Sequence, residues 1–245
     1  MFPSNRSGKW KLFRQDLDQV TPELVGEVGP NFVLPRLNPD GTKILYSTGY
    51  EPDDHARLAS LMEMPLFGGP ARKILQMSLL SNFQCARSPS KVCVLSTHAE
   101  RAGRLYQFDE EDGATRNFAE FKMNGLVSWS LSPDGSQVAI AYTHGEPKVV
   151  FMNMANHSMH DVELHGWLHI HGVDWTGAGK SVYVIALKSD GTSDVAEVEP
   201  SGNYRLVLPG NEDRRYWWAI QSPDGRHVLL EQIPGENNVW MVENF

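Results

Sequence analysis

Ser132-Pro133-Asp134-Gly135, leading into Q-V-A-I-A-Y at 137–142, is the stretch on which the reading of the fold depends. Proline presets φ at the second position of a type I turn, and Asp tolerates the third. Gly takes the left-handed conformation that closes a bulged hairpin. The motif therefore joins two antiparallel strands. The run after it is apolar at successive positions, the pattern of a strand covered on both faces. Two further copies follow the same plan: Asn38-Pro39-Asp40-Gly41 before K-I-L-Y-S-T (43–48), and Ser222-Pro223-Asp224-Gly225 before H-V-L-L-E-Q (227–232). Weaker copies lie between them: Ser88-Pro89-Ser90 before K-V-C-V-L-S (91–96), and Thr176-Gly177-Ala178-Gly179 before S-V-Y-V-I-A (181–186). The second turn position falls at 39, 89, 133, 177 and 223, in steps of 50, 44, 44 and 46 residues.

More short β-like runs fill each repeat, such as K-V-V-F-M (148–152), M-H-D-V-E-L (159–164) and R-L-V-L (205–208). Four strands per repeat of this length is the period of a propeller blade. The expected fold is therefore all-β: a β-propeller of four-stranded antiparallel blades, five of them turn-marked, plus a partial N-terminal blade. As a single domain over 1–245, it divides into the partial blade 1–30 and blades at about 31–78, 79–124, 125–167, 168–213 and 214–245. The stretch 55–64 is the one arguable helix, and it falls where a third strand belongs. Before the first turn lie K-W-K-L-F-R (9–14), a poorer run at Glu23 to Glu27 and N-F-V-L-P-R-L (31–37). The first blade is thus expected to lack its inner two strands and the last its outer one. That suggests an incomplete ring, either a fragment of a longer propeller or a ring closed imperfectly by residues 9–28.

Composition narrows the function classes. The chain has 245 residues, 41% hydrophobic and 21% charged, which suffices for a packed core. A net charge of −8 without a cluster of Lys and Arg argues against direct contact with nucleic acid. No stretch approaches the roughly 20 apolar residues of a membrane span, and Met1 to Arg14 does not resemble a signal peptide. The expectation is a segment without membrane contact, cytoplasmic as written, or periplasmic if a membrane helix precedes it in a longer protein.

The turns, together with S-N-R-S-G-K-W-K-L-F (4–13) and G-G-P-A-R (68–72), resemble TolB-type propeller repeats. N-F-Q-C-A-R-S-P-S-K-V-C-V-L-S (82–96), D-W with its degenerate turn at 174–179, and S-P-D-G-R (222–226) with the ending N-V-W-M-V-E-N-F (238–245) resemble a narrower group. These are the C-terminal propellers of large bacterial signalling proteins, which carry an N-terminal winged-helix DNA-binding domain or a serine/threonine kinase domain. The resemblance implies a sensing or interaction module with a protein or peptide partner, a further strand upstream of Met1 and an effector domain elsewhere. It carries over no catalytic residue.

Candidate chemistry is sparse. Residues 165–175 read H-G-W-L-H-I-H-G-V-D-W, and strand alternation puts His169, His171, Val173 and Trp175 on one face. Histidines two apart can chelate a metal, but a tetrahedral site needs a third protein ligand that no neighbour supplies. They are instead candidates to line a central channel. Tyr216, Trp217 and Trp218 precede the last inner strand, and Trp217 and Trp218 join the ligand-binding candidates; Trp129 and Trp175 occupy comparable strands. Gly177-Ala178-Gly179-Lys180-Ser181 imitates the end of a phosphate loop, yet the strand that follows denies it the helix such a loop needs. Cys85 and Cys93 stand four residues to either side of Pro89. Across a hairpin they face each other, as reduced thiols in a cytosolic setting or as a disulfide outside it. The pairs Asp53-Asp54, Glu110-Glu111-Asp112 and Glu212-Asp213 read as solvated loop charge. No G-x-S-x-G elbow is present. No catalytic residue, metal or cofactor is expected. The leading reading is a non-catalytic propeller that binds a protein, peptide or small ligand. The alternatives are a hydrolase-like or lyase-like enzyme with its site at the channel, and the accessory propeller of a prolyl-oligopeptidase-type peptidase.

Overall fold

Every element of the computed structural model is a β-strand. It describes the chain apart from residues 7, 17–18, 30–34, 50–56, 100–101, 123–126, 143–145, 212–214, 223, 234–237 and 244–245. Two compact units divide it, Met1–Phe121 and Lys122–Phe245.

The first unit opens with β1 (Phe2–Ser4), β2 (Lys11–Arg14) and β3 (Glu23–Glu27), a three-stranded antiparallel sheet. The sequence predicts only two strands here. β1 escapes because three residues with a proline in the middle carry no periodic signal; it pairs Phe2 with Phe13 and Ser4 with Lys11. Two four-stranded sheets follow in chain order: β4 (Arg36–Leu37), β5 (Lys43–Thr48), β6 (Leu58–Pro65) and β7 (Arg72–Ser78), then β8 (Leu80–Cys85), β9 (Cys93–Ala99), β10 (Ala102–Phe108) and β11 (Thr115–Lys122). The arguable helix is β6. Its Ala59, Leu61 and Met64 are buried, sharing sheet-to-sheet cores with Ile44, Tyr46 and Leu12 on one side and Phe83, Leu95 and Phe108 on the other.

The second unit repeats the plan with β12 (Val127–Leu131), β13 (Gln137–Tyr142), β14 (Lys148–Asn153) and β15 (Met159–Glu163). Next come β16 (His169–Trp175), β17 (Val182–Leu187), β18 (Ser193–Val198) and β19 (Tyr204–Leu208). A three-stranded sheet follows, β20 (Arg215–Gln221), β21 (His227–Ile233) and β22 (Asn238–Glu243). Ala139, Phe151 and Val162 pack with Ile170, Trp175, Val182 and Val184 of the next sheet, while Ile185 and Val195 pack with Tyr216, Ala219 and Leu230 of the one after. Antiparallel sheets of mostly four strands, packed face to face with their successors within each unit, make the fold a β-propeller.

The turn motif explains the repetition. Asn38 Oδ1, Ser132 Oγ and Ser222 Oγ each accept the backbone N–H five residues on, at Lys43, Gln137 and His227, at 2.9–3.0 Å. The aspartate then ties the residues around it: Asp134 Oδ1 accepts Ser136 N–H at 3.0 Å and Ser132 Oγ–H at 2.6 Å. Gly135 closes the turn at φ +75°, in the left-handed region that other residues enter at a cost. The imitation of a phosphate loop is such a turn, with Gly179 at φ +67° and the Thr176 hydroxyl donating to the Ser181 carbonyl at 3.0 Å.

Candidate binding site on the leading strands

The first strand of each sheet is an edge, and its outward N–H groups need acceptors. In the second unit the preceding sheet supplies them. Ser128 Oγ accepts Val173 N–H at 3.1 Å, and Ser130 Oγ accepts Trp175 N–H at 3.3 Å. Ser130 Oγ also donates to Asp174 Oδ1 at 2.6 Å, and Trp175 Nε1–H reaches the Ser130 carbonyl at 3.0 Å. Further along, Ser193 Oγ donates to the Tyr216 carbonyl at 2.8 Å, and Gln221 Oε1 accepts Gly177 N–H at 2.6 Å. β12, β16 and β20 are thereby held side by side, with Trp129 and Trp175 buried as core.

Both strands that carry the histidines and tryptophans are bulged. Ile170 pairs with Ala186 and Gly172 with Ile185, which makes His171 the extra residue of its strand. Tyr216 pairs with Gln232 and Trp218 with Glu231, which puts Trp217 in the same position. In the first unit the leading strand β8 is bulged in the same way, with Ser81 between Leu80 and Asn82. Ser81, His171 and Trp217 each lie five residues before the turn residue, Ala86, Thr176 or Ser222, whose N–H starts the hairpin. The bulge is thus a feature of the repeat, and a bulge re-aims one side chain. Ser81 turns back to Ser96, with the two hydroxyls 2.8 Å apart. Val127 opens β12 with no shift in register, and Val33, the corresponding residue of the earliest repeat, lies outside the described residues.

The bulge at 171 corrects the strand alternation. Ile170, Val173 and Trp175 belong to one core cluster, so His169 and His171 do not share the face of Val173 and Trp175. His171 instead meets Trp217, ring centroids 4.8 Å apart and planes inclined at 37°. Trp217 remains 42% exposed, although most of the strand around it is buried or half-buried. Trp217 and Trp218 lie within β20, and not just before it as the sequence suggests. Trp218 is half-buried, and its Nε1 is buried without an acceptor among the described residues. A Cβ built on Gly172 would stand 3.4 Å from Cε3 of Trp218 and 3.5 Å from the carbonyl oxygen of Trp217, ordinary contact distances that place β20 against this part of β16. His169 is half-buried at the start of β16. Among the described residues, no three His, Cys, Asp or Glu side chains are grouped to hold a metal.

The remaining candidates lie in the first unit. Cys85 and Cys93 pair directly across β8 and β9, and their sulfurs are bonded. Glu63, which sequence reasoning passed over, is only 6% exposed. Its carboxylate accepts from Arg72 at 2.8 Å and Lys43 at 3.1 Å. Burial alone would raise its pKa, but the hydrogen bonds and charges of Arg72 and Lys43 outweigh it and hold the group below the ordinary glutamate value. The pattern Lys43, Glu63, Arg72 on consecutive strands is the one signal in the sequence that could have found it. Arg72 also donates to the carbonyls of Glu110 and Glu111 at 2.8 Å, tying the β10–β11 hairpin to the sheet before it. The Glu110 carboxyl is pushed up, chiefly by burial. Asp53-Asp54 and Glu212-Asp213 lie outside the described residues.

No protein-family model matches the chain, and no curated protein matches it. Solved structures do. TolB from Acinetobacter baumannii superposes with a TM-score of 0.74 at 17% identity, over 96% of this chain and 57% of that one. A putative TolB from Agrobacterium tumefaciens gives 0.71 at 16% identity, over 91% and 80%. Puromycin hydrolase gives 0.61 at 15% identity, covering 88% of this chain and 35% of the enzyme. The chain therefore spans a little over half the length of the first TolB, 57%, and about a third of the hydrolase, 35%. At such identities a likeness establishes fold alone, and the fold is a β-propeller similar to that of the TolB structures.

Proposed function

We propose that the chain is a non-catalytic binding module, the sensory or interaction part of a bacterial signalling protein, and that His171 and Trp217 form its recognition platform. The observation that carries this is the bulge position. On a scaffold otherwise repeated for packing, two adjacent copies present unlike residues whose rings meet at a tilt and leave an indole exposed. Large exposed aromatics on rigid strands are what protein and peptide recognition favours. The signalling context is supported by the resemblance of residues 82–96 and 238–245 to propellers of winged-helix regulators and kinases. Selection of a random peptide library on the purified chain tests the binding role. Wild type should enrich peptides that fail to bind Trp217→Ala, while the variant keeps the wild-type circular dichroism spectrum. Peptides retained equally by both would refute the platform, and hydrolysis of peptide or ester substrates by the purified chain would refute the non-catalytic reading.

The likeness to puromycin hydrolase favours a second reading, an accessory propeller beside a hydrolase domain. It predicts that the chain expressed with such a domain restricts which substrates reach it.

A further inference from the structure

We infer that the outer edge of β22 takes an extended segment of a partner protein as a fourth strand, an interaction separate from the His171–Trp217 platform. The sheets before it give the template. In four of them the third strand, β6, β10, β14 or β18, pairs on its far side with an outer strand, β7, β11, β15 or β19. The last sheet runs β20-β21-β22, with β22 in the third place, and among the described residues no strand pairs beyond it. The N-terminal strands are engaged elsewhere, because β1, β2 and β3 pair with one another in a sheet of their own.

The residues of β22 are those of a covered strand. Edges in native sheets are blunted by charge, lysine above all, or by proline. The outer strands follow that rule: β7 opens with Arg72-Lys73, β11 holds Arg116 and Glu120, β15 holds Asp161 and Glu163, and β19 holds Arg205. β22 reads N-V-W-M-V-E, four apolar residues in succession and a single charge at its end. The same plan is K-V-V-F-M-N of β14, whose middle four residues are buried and whose two edges are both paired. β22 thus has the composition of an interior strand and the position of an edge.

Alternate N–H and C=O groups along Asn238–Glu243 point away from β21, so an extended backbone is selected before any side chain is read. A second copy of β22 would lay one uncharged apolar run beside another. The outer strands of the repeat instead set charges beside an aliphatic residue, as in β15, where Val162 is buried and its four neighbours in the strand are exposed. The occupant is accordingly a segment of five to eight residues, the lengths of the four outer strands, antiparallel to β22 and built on that pattern.

The test uses the whole chain, isotopically labelled for amide exchange, and a synthetic peptide S-M-H-D-V-E-L, the sequence 158–164 that contains β15. At millimolar concentration the peptide should slow exchange at every second residue of Asn238–Glu243, by about tenfold when roughly nine-tenths of the chain is occupied. The same peptide N-methylated at alternate residues, on the edge that pairs, should give no protection. Equal protection by the methylated peptide, or none by the parent, would overturn the inference. Outward amides of β22 already protected in the free chain would overturn it too. Protection at every concentration would assign the place to a strand of the same chain, and protection that appears only with a dimer in sedimentation would assign it to a second copy.

Discussion

Ser128→Ala probes the device that holds the leading strands in place. Ser128 is 9% exposed, and its hydroxyl accepts the N–H of Val173, itself 2% exposed, at 3.1 Å. That N–H points away from β17 and has no other acceptor in the ladder, so the substitution leaves a buried donor unmade. Such a loss costs about 1–3 kcal/mol, more than the net worth of an ordinary hydrogen bond. For a chain of this size that is roughly 2–4 °C in Tm per kcal/mol. Urea unfolding followed by tryptophan fluorescence measures it, with Ser201→Ala as the control. The Ser201 hydroxyl donates to the exposed Glu199 and accepts from the Asn203 side-chain amide, both at the surface, and its removal should stay within about 0.5 kcal/mol. Hydrogen exchange gives a local readout, since the Val173 amide should lose protection while Val184 in the neighbouring strand keeps it. A Ser128→Ala cost no larger than the control, with Val173 still protected, would refute the idea that serines of one sheet satisfy the edge of the next.

The remaining predictions concern the first unit. Gly113→Ala should destabilise markedly more than Gly202→Ala. Both sit at positive φ, which costs a side chain about 1–2 kcal/mol, but a Cβ at 113 would also stand 2.3 Å from the Ile74 carbonyl oxygen, whereas one at 202 meets nothing within 4 Å. Reducing Cys85–Cys93 should cost about 2–3 kcal/mol for a separation of 8 residues, read as a lower urea midpoint in dithiothreitol, with alkylation of both cysteines only after reduction. Glu63 sets an acid limb. Its folded pKa is lowered, so its contribution is full above the ordinary glutamate value and is lost as pH falls through the folded one; Glu63→Gln should flatten the fall of stability below the ordinary glutamate value. Glu110, whose pKa is raised, works in the opposite sense, costing stability as pH climbs above the ordinary carboxylate range.

Turn chemistry made the fold legible. Asn38, Ser132 and Ser222 accept the same backbone N–H, and each glycine takes the same φ, so local chemistry and global repeat coincide. The site was harder to read. His169, His171, Trp217 and Trp218 are conspicuous as residue types, but their facing depends on bulges at 171 and 217, and one inserted residue reverses every side chain on one side of it. Gly172 beside His171 was the only local hint, and glycine in a strand has several explanations. Glu63 escaped because its partners, Lys43 and Arg72, are neighbours only once β5, β6 and β7 are in register. The opposed cysteines were readable because a hairpin fixes their separation, whereas their oxidation depends on surroundings that the spacing does not encode.

The central claim is that Trp217 is displayed and not packed, and a comparison of Trp217→Ala with Trp175→Ala tests it without any ligand. Trp175 is 4% exposed, packs edge-on to Phe151 at 5.7 Å and hydrogen-bonds the Ser130 carbonyl, so its truncation should cost about 3–5 kcal/mol in urea unfolding. Trp217→Ala should cost clearly less than Trp175→Ala, because 42% of the residue is already exposed and its contact with His171 adds only about 0.5–1.5 kcal/mol beyond that partial burial. A loss at Trp217 as large as that at Trp175 would make it a structural anchor and contradict the assignment of a recognition platform.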